Sequence, residues 1–369
     1  MKHLARLAGR PWVLGASLAL LAGLPLGVHA EPYLAVQNGF KCSQCHVNPT
    51  GGGLRNTFGE VFSQVQMPLY HINTPEPWTG GPLLDVLTVG ADVRYDVESD
   101  QVRGQPSVDS HDLQQARVYG EVNLLPERLA VYADEQVGPG YPFVREIYGL
   151  FWSANHEWYA KAGQMYLPFG LRVQDQTAFV QEVSGINMTT PDRAIEVGWL
   201  HGPWDAQFAV SNGTDGGPST GSGKQYSTQL IYVTPTWRLG ATTNLNEAGS
   251  ASRTVAGLFG GLKTGPVAWL AEADFVDDAT IAGYGRKRAA GLLEADWLIT
   301  RGQNLKITAE QFLPDTSVRH NEQARWSLVY ELTPVQFVQL RTGVRYTDGI
   351  PQDNFEHVKI YFAELHVYL

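Results

Sequence analysis

The chain has 369 residues, a formal charge of −10, 39 glycines, 16 tyrosines, 10 tryptophans and only two cysteines. An acidic balance excludes nucleic acid as a partner, and one cysteine pair excludes the disulfide framework of a small exported domain. Abundant glycine and aromatic residues with few helix-forming runs argue against a water-soluble globule around one buried core.

Residues 1–30 read as a secretory leader. Lys2, Arg6 and Arg10 precede the apolar run Val13 to Leu26, and Ala30 stands at the expected cleavage position. The mature chain, from Glu31, is expected to leave the cytoplasm, and losing those three cations takes its charge to −13. No other stretch is long and apolar enough to cross a membrane as a helix.

Residues 31–66 carry the chemistry. Cys42-Ser43-Gln44-Cys45-His46 is C-x-x-C-H, the spacing for covalent attachment of one haem c. Two thiols at that spacing hold the haem through thioethers, and the adjacent imidazole falls beneath the iron as proximal ligand. A thioredoxin-like redox pair usually lies in a βαβ context, and a metal half-site needs further ligands from histidine or carboxylate. Asn48 to Gly53 is expected to loop flexibly. Leu54, Phe58, Val61, Phe62 and Val65 then recur at helical spacing, a stripe suited to covering the porphyrin or packing on a wall. The segment is too short for a complete soluble cytochrome, so part of the haem's burial is expected from a barrel lumen that the segment plugs.

A Pro-rich connector, 67–82, follows. Met67, before Pro68, is the candidate distal iron ligand, with His71 as rival and a five-coordinate iron or Met188 as further alternatives.

From residue 83 to Leu369 the period is that of strands. Leu87, Val89, Ala91, Val93, Tyr95 and Val97 alternate with Thr88, Gly90, Asp92, Arg94, Asp96 and Glu98. Later strands repeat this, with Trp326, Leu328, Tyr330 and Leu332 against Arg325, Ser327 and Glu331. One face suits lipid and the other water. Tight turns at Pro126-Glu127, Asn155-His156, Gly202-Pro203, Pro235-Thr236, Gly265-Pro266, Arg301-Gly302 and Thr333-Pro334 alternate with generally longer polar loops. The alternation predicts an all-β fold, an antiparallel transmembrane barrel of about sixteen strands. The last strand is expected over Phe355 to Leu369, with Tyr361, Ala363, Leu365, Val367 and Leu369 on one face. An even count puts both ends on the short-turn side, which faces the periplasm in outer-membrane barrels. A soluble sandwich or propeller would share the alternation but would need its apolar face to meet another sheet.

Gly163, Gln164, Pro168, Phe169 and Gly170 match the Gly-Gln-x-x-x-Pro-Phe-Gly motif of phosphate-selective porins, and the β region resembles that family. Ser211-Asn212-Gly213-Thr214 looks like a second strand end of this kind. Leu167 to Asp192, the longest loop, either folds inward or lies outside as a surface loop. If inward, it brings Asp175, Glu182 and Met188 to the lumen. Inward positions mix Arg94, Arg117 and Arg345 with Asp92, Asp96, Glu121 and Glu331, so phosphate selectivity does not carry over.

The whole order, leader then C-x-x-C-H then barrel, resembles the fused cytochrome-porins of the outer membrane, with Pro32-Tyr33-Leu34-Ala35 and Gly39 standing where that family has its Pro-x-Phe-Ala and glycine. The resemblance implies electron transfer across the outer membrane, from extracellular Fe(II) to a periplasmic c-type cytochrome. Asp92, Asp96, Asp175 and Glu182 would draw such cations inward, and a soluble donor entering the lumen would shorten the electron's path. The alternatives are a diffusion channel with the segment as plug and, third, haem-based catalysis. Outer-membrane lipid and a homotrimer are the expected surroundings.

Overall fold

The computed structural model describes residues 31–72, 76–79, 86–173, 175, 177–214, 216–217, 223–248, 251–349 and 357–369. The leader, parts of the connector and the first residues of the expected last strand lie outside these.

Sixteen antiparallel strands, β1 (Leu87–Gln101) to β16 (Val358–Tyr368), pair in chain order and close as a barrel. Closure sets Asp92 to Gln101 of β1 against Tyr368 to Lys359 of β16. With no free edge, the backbone groups are satisfied internally, which a strand structure in lipid requires. The alternation sorts as expected: Val89, Val93, Tyr95 and Val97 face out and are exposed, while Thr88, Asp92, Arg94 and Asp96 face in and are buried. Ile195, Leu258, Phe275, Trp326 and Leu365 continue the apolar exterior around the barrel. Tyr361, Ala363, Leu365, Val367 and Leu369 share that outer face.

The turn end differs from the sequence reading at one place. Thr333 and Pro334 lie within β14 (Gln323–Val335), and the turn is Gln336-Phe337. The strand's pairing with β15 (Val338–Asp348) shifts between Leu332 and Val335, which accommodates the proline. The carbonyls of Thr333 and Pro334 instead accept from Leu69 N (2.8 Å) and Tyr70 N (3.0 Å) of the connector.

The N-terminal segment lies across this turn end. Helix α1 (Pro32–Asn38), started by Pro32 and ended by left-handed Gly39, packs on β10 (Ala251–Thr264) and β11 (Val267–Asp278). Gln37 Nε2 donates to Pro266 O in the β10–β11 turn, and Gly39 passes so near Pro235 that a Cβ would lie 2.7 Å from its Cα.

The long loop between β5 (Trp158–Met165) and β6 (Asp192–His201) folds inward. Leu167, Phe169, Leu171, Val173, Phe179, Val180, Val183 and Ile186 are all buried, and the short helix α3 (Phe179–Ser184) reaches β11, β12 (Lys287–Thr300) and β13 (Gln303–Leu313) across the lumen. The Gly163-to-Gly170 motif lies at its start: Gly170 is left-handed, and a Cβ there would meet Glu272.

Candidate functional site

The motif sits inside the barrel, under the inward loop. Cys42–Gln44 form one turn of 3-10 helix, and helix α2 (Thr57–Val65) follows, capped by the Asn56 side chain on Gly59 N at 3.0 Å. Asn56 also ties back to Ser43 O and His46 O, and His46 pairs with Arg55 as an isolated bridge. Gly59 is where α2 crosses the motif: a Cβ would lie 2.1 Å from Cys45 O.

The loop expected to be flexible is held down. Asn48 is fully buried between Glu146 (3.1 Å) and Lys161 (3.1 Å) of the barrel wall. Gly51, Gly52 and Gly53 all have left-handed φ, a conformation that costs any other residue. A Cβ on Gly51 would lie 3.2 Å from Cys42 Sγ, on Gly52 3.6 Å from Met188 Sδ, and on Gly53 2.1 Å from Tyr132 Oη. The glycines let the chain pass between thiol, thioether and wall.

Cys42, Cys45 and His46 line one partly enclosed cavity. Phe40, Leu34, Phe62, Ile231 and Phe259 give it apolar walls, and Gly170, Leu171 and Arg172 of the inward loop close it on the loop side. A second depression shares Leu34, Phe62 and Met67 with it and opens at the turn end. Among the sequence-nominated distal groups, Met67 lines the cavity, His71 is exposed and does not line it, and Met188 is buried behind Gly52. A histidine that the sequence reading passed over, His366, also lines it, but Asp92 (2.7 Å) and Gln339 (3.0 Å) engage both ring nitrogens.

The helical stripe meets the cavity only in part, through Leu54 and Phe62. The buried face of α2 is polar, with Gly59, Glu60, Ser63 and Gln64, because Gln64 clamps the backbone of Trp78. Phe62 lines the cavity, while Phe58 and Val65 remain exposed and Phe40, Phe58 and Phe62 cluster at 5.4–6.2 Å.

Burial pushes the Cys42 thiol up, against Arg238 and Arg172, and pushes Cys45 up to about 11. A thioredoxin-like pair needs a depressed thiol, so this environment does not suit it. Burial first, then Arg55, lowers His46 to about 4, which leaves the imidazole neutral at pH 7, the form that binds metal. Its Nδ1 is buried without a hydrogen-bond partner. Among the described residues no three His, Cys, Asp or Glu side chains converge as a bare metal site. Two separate thiols, a neutral imidazole, a glycine cradle and a mostly apolar cavity fit a c-type haem.

Two of the four acidic residues expected to attract cations, Asp92 and Asp175, are committed to partners, and Asp96 keeps a buried oxygen without one. Asp92 is held by His366, Gln115 and Arg94, and Asp175 by Arg345 and Thr177. Burial alone would raise the Asp175 carboxyl, but Arg345 and Arg325 hold it well below the usual range. Glu182 is exposed. Among the described residues, the inward loop lies between the cavity and the loop side of the lumen.

A closed sixteen-strand barrel with an inward third loop and an apolar exterior has the fold of the outer-membrane porins. Among solved structures it is similar to Pseudomonas putida OprB (TM-score 0.60, 9% identity, 77% of this chain and 94% of that one). The anion-selective porin of Comamonas acidovorans is comparable (0.59, 10%, 77% and 99%), as is the trimer form of the Vibrio cholerae outer-membrane protein OmpT (0.56, 10%, 77% and 100%). No family model and no curated protein matches the chain.

Proposed function

We propose that this chain is an outer-membrane electron-transfer protein, a porin-like barrel that holds one covalent haem c and belongs with the fused cytochrome-porins. The solved structures support the barrel alone, and their names favour a diffusion channel. The observation that carries the haem reading is that Cys42, Cys45 and His46 line one cavity with Met67. Cys42 and Cys45 would hold the group, His46 would be its proximal ligand and Met67 its distal one. When bound, such a group supplies one-electron exchange at iron.

The chain's own residues set the surroundings. Met67, Leu34 and Phe62 border the mouth at the turn end, so a periplasmic c-type cytochrome would meet the site there. The Gly170–Arg172 layer would shield a bound group from bulk water on the loop side. A donor such as Fe(II) would give up its electron at that outer face rather than by entering. A homotrimer, the form of one OmpT structure, is the expected assembly.

The test is the visible spectrum of the detergent-solubilised protein, oxidised and reduced, with a haem stain on a denaturing gel. Sharp reduced bands and a stained band are expected, with native-like barrel but lost electron transfer in His46→Ala. Absence of covalent haem from correctly exported protein would leave the second reading, a channel with residues 31–66 as plug.

A further inference from the structure

Lumen arginines in this barrel are generally paired. Arg94 meets Glu364, Arg117 meets Asp134, Arg325 meets Glu310, and Arg341 meets both Glu331 and Glu364. Arg145 meets no carboxylate, but Tyr166, Gln136 and the Met188 carbonyl take its three nitrogens. Among the described residues, Arg55, Arg172 and Arg238 are different: none has a carboxylate within 4.0 Å. Arg55 stacks on Tyr368 at 4.6 Å. Arg172 uses one nitrogen on Thr50 Oγ1 and the carbonyls of Tyr166 and Leu167, and Arg238 uses one on Phe40 O at 2.7 Å.

These three come from separate parts of the chain: the return strand, meaning the short stretch whose Arg55 bridges back to His46, the inward loop and the start of β9 (Trp237–Ala248). Yet all line the cavity that holds the motif. Arg172 and Arg238 act on Cys42, and Arg55 and Arg172 on His46. Glu60 acts on Arg55 and Asp205 on Arg238, but both lie beyond ion-pair distance, so the guanidinium N–H groups that the three arginines leave unbonded are free to receive an anion in the cavity. The carboxylates lining the same cavity do not serve. Asp92 is bound by His366 and Arg94, and Glu31 is bonded to Gln339 and faces Lys306 and Arg341.

We infer that the cavity is completed by a ligand bearing two carboxylates, received by Arg55, Arg172 and Arg238. The inference rests on the haem reading, in which these carboxylates are the haem propionates. Guanidinium forks match carboxylates in pairs, and a charge-assisted pair is among the stronger hydrogen bonds.

The test is the reduction potential of the purified holoprotein, titrated from pH 5 to pH 9 in the wild type, Arg55→Gln, Arg172→Gln, Arg238→Gln and Arg238→Lys. The wild type should be nearly flat between pH 6 and pH 8. Each Gln variant should shift the equilibrium about tenfold toward the oxidised form, ~59 mV for one electron, and gain a pH-dependent leg as the released carboxylate titrates. Arg238→Lys should restore the flat profile. Native spectra with potential–pH curves unchanged in all three Gln variants would overturn the arginine assignment and leave the haem reading standing. A wild type without covalent haem would remove both.

Discussion

Gly59 has no room for a side chain, and the reason is the motif itself: the Cys45 carbonyl lies where its Cβ would be. In Gly59→Ala, α2 must lift away from the Cys42–His46 turn, while the barrel, which does not depend on α2, should stay closed. Overpacking of this kind costs about 1–3 kcal/mol. The expected result is faster hydrogen exchange over residues 42–66 with unchanged exchange in the strands. Unchanged protection of residues 42–66 would show that α2 can shift without leaving the motif. The motif was legible because its five residues are contiguous and their spacing is the chemistry. Arg55, Arg172 and Arg238 were not, because they meet only when the return strand, the inward loop and β9 are brought together. In a sequence that places arginines and carboxylates on many lumen faces, nothing marks the arginines that leave N–H groups open to the cavity.

The inward loop shows how an element is fixed by a few groups at its far end. Asp175 takes Arg345, Arg325 donates to Thr177 O at 2.6 Å, Phe179 N donates to Glu310 at 2.7 Å, and Arg253 donates to Ser184 O at 2.6 Å. Because the folded loop holds the Asp175 carboxyl below its ordinary value, the contribution is complete above roughly pH 4 and is lost only as pH falls through the depressed value. The loop should therefore resist proteolysis uniformly from pH 5 to pH 9. Asp175→Asn should weaken the latch by about 1–2 kcal/mol, a roughly 5–30-fold rise in the open population at pH 7. A wild-type loop that became labile between pH 7 and pH 5 would point to a different titrating group. The sequence marked this loop by its length but left two placements open, because its apolar residues carry no clean helical period. Helix α2 shows the opposite case: its period is clear, and Phe62 of its apolar side lines the cavity, but Glu60, Ser63 and Gln64 are buried on its other side.

At the scale of the whole molecule, strand number and topology were readable because seven tight turns alternate with eight loops, and each lumen position falls one residue from a lipid position. Only the last turn was displaced, where the connector's Leu69 and Tyr70 take the carbonyls beside Pro334. What the alternation does not encode is whether the lumen is open. Asp134, Glu146, Glu196, Asn244, Asp274 and Asp296 all face inward, and each is fully buried. In a wide aqueous pore such side chains would be wet. Two layers account for this, the N-terminal segment across the turn end and the inward loop above it, and they meet where Arg172 bonds Thr50 at 3.0 Å. Ion conduction should follow from that geometry. The mature protein in planar bilayers is expected to carry less than about a tenth of the current of an open sixteen-strand porin. An Arg325→Ala, Arg345→Ala pair, which removes the loop's far anchors, should raise that current without changing the barrel's content of strand. Wild-type currents as large as those of open porins would mean that solutes bypass both layers, and the channel reading would then displace electron transfer.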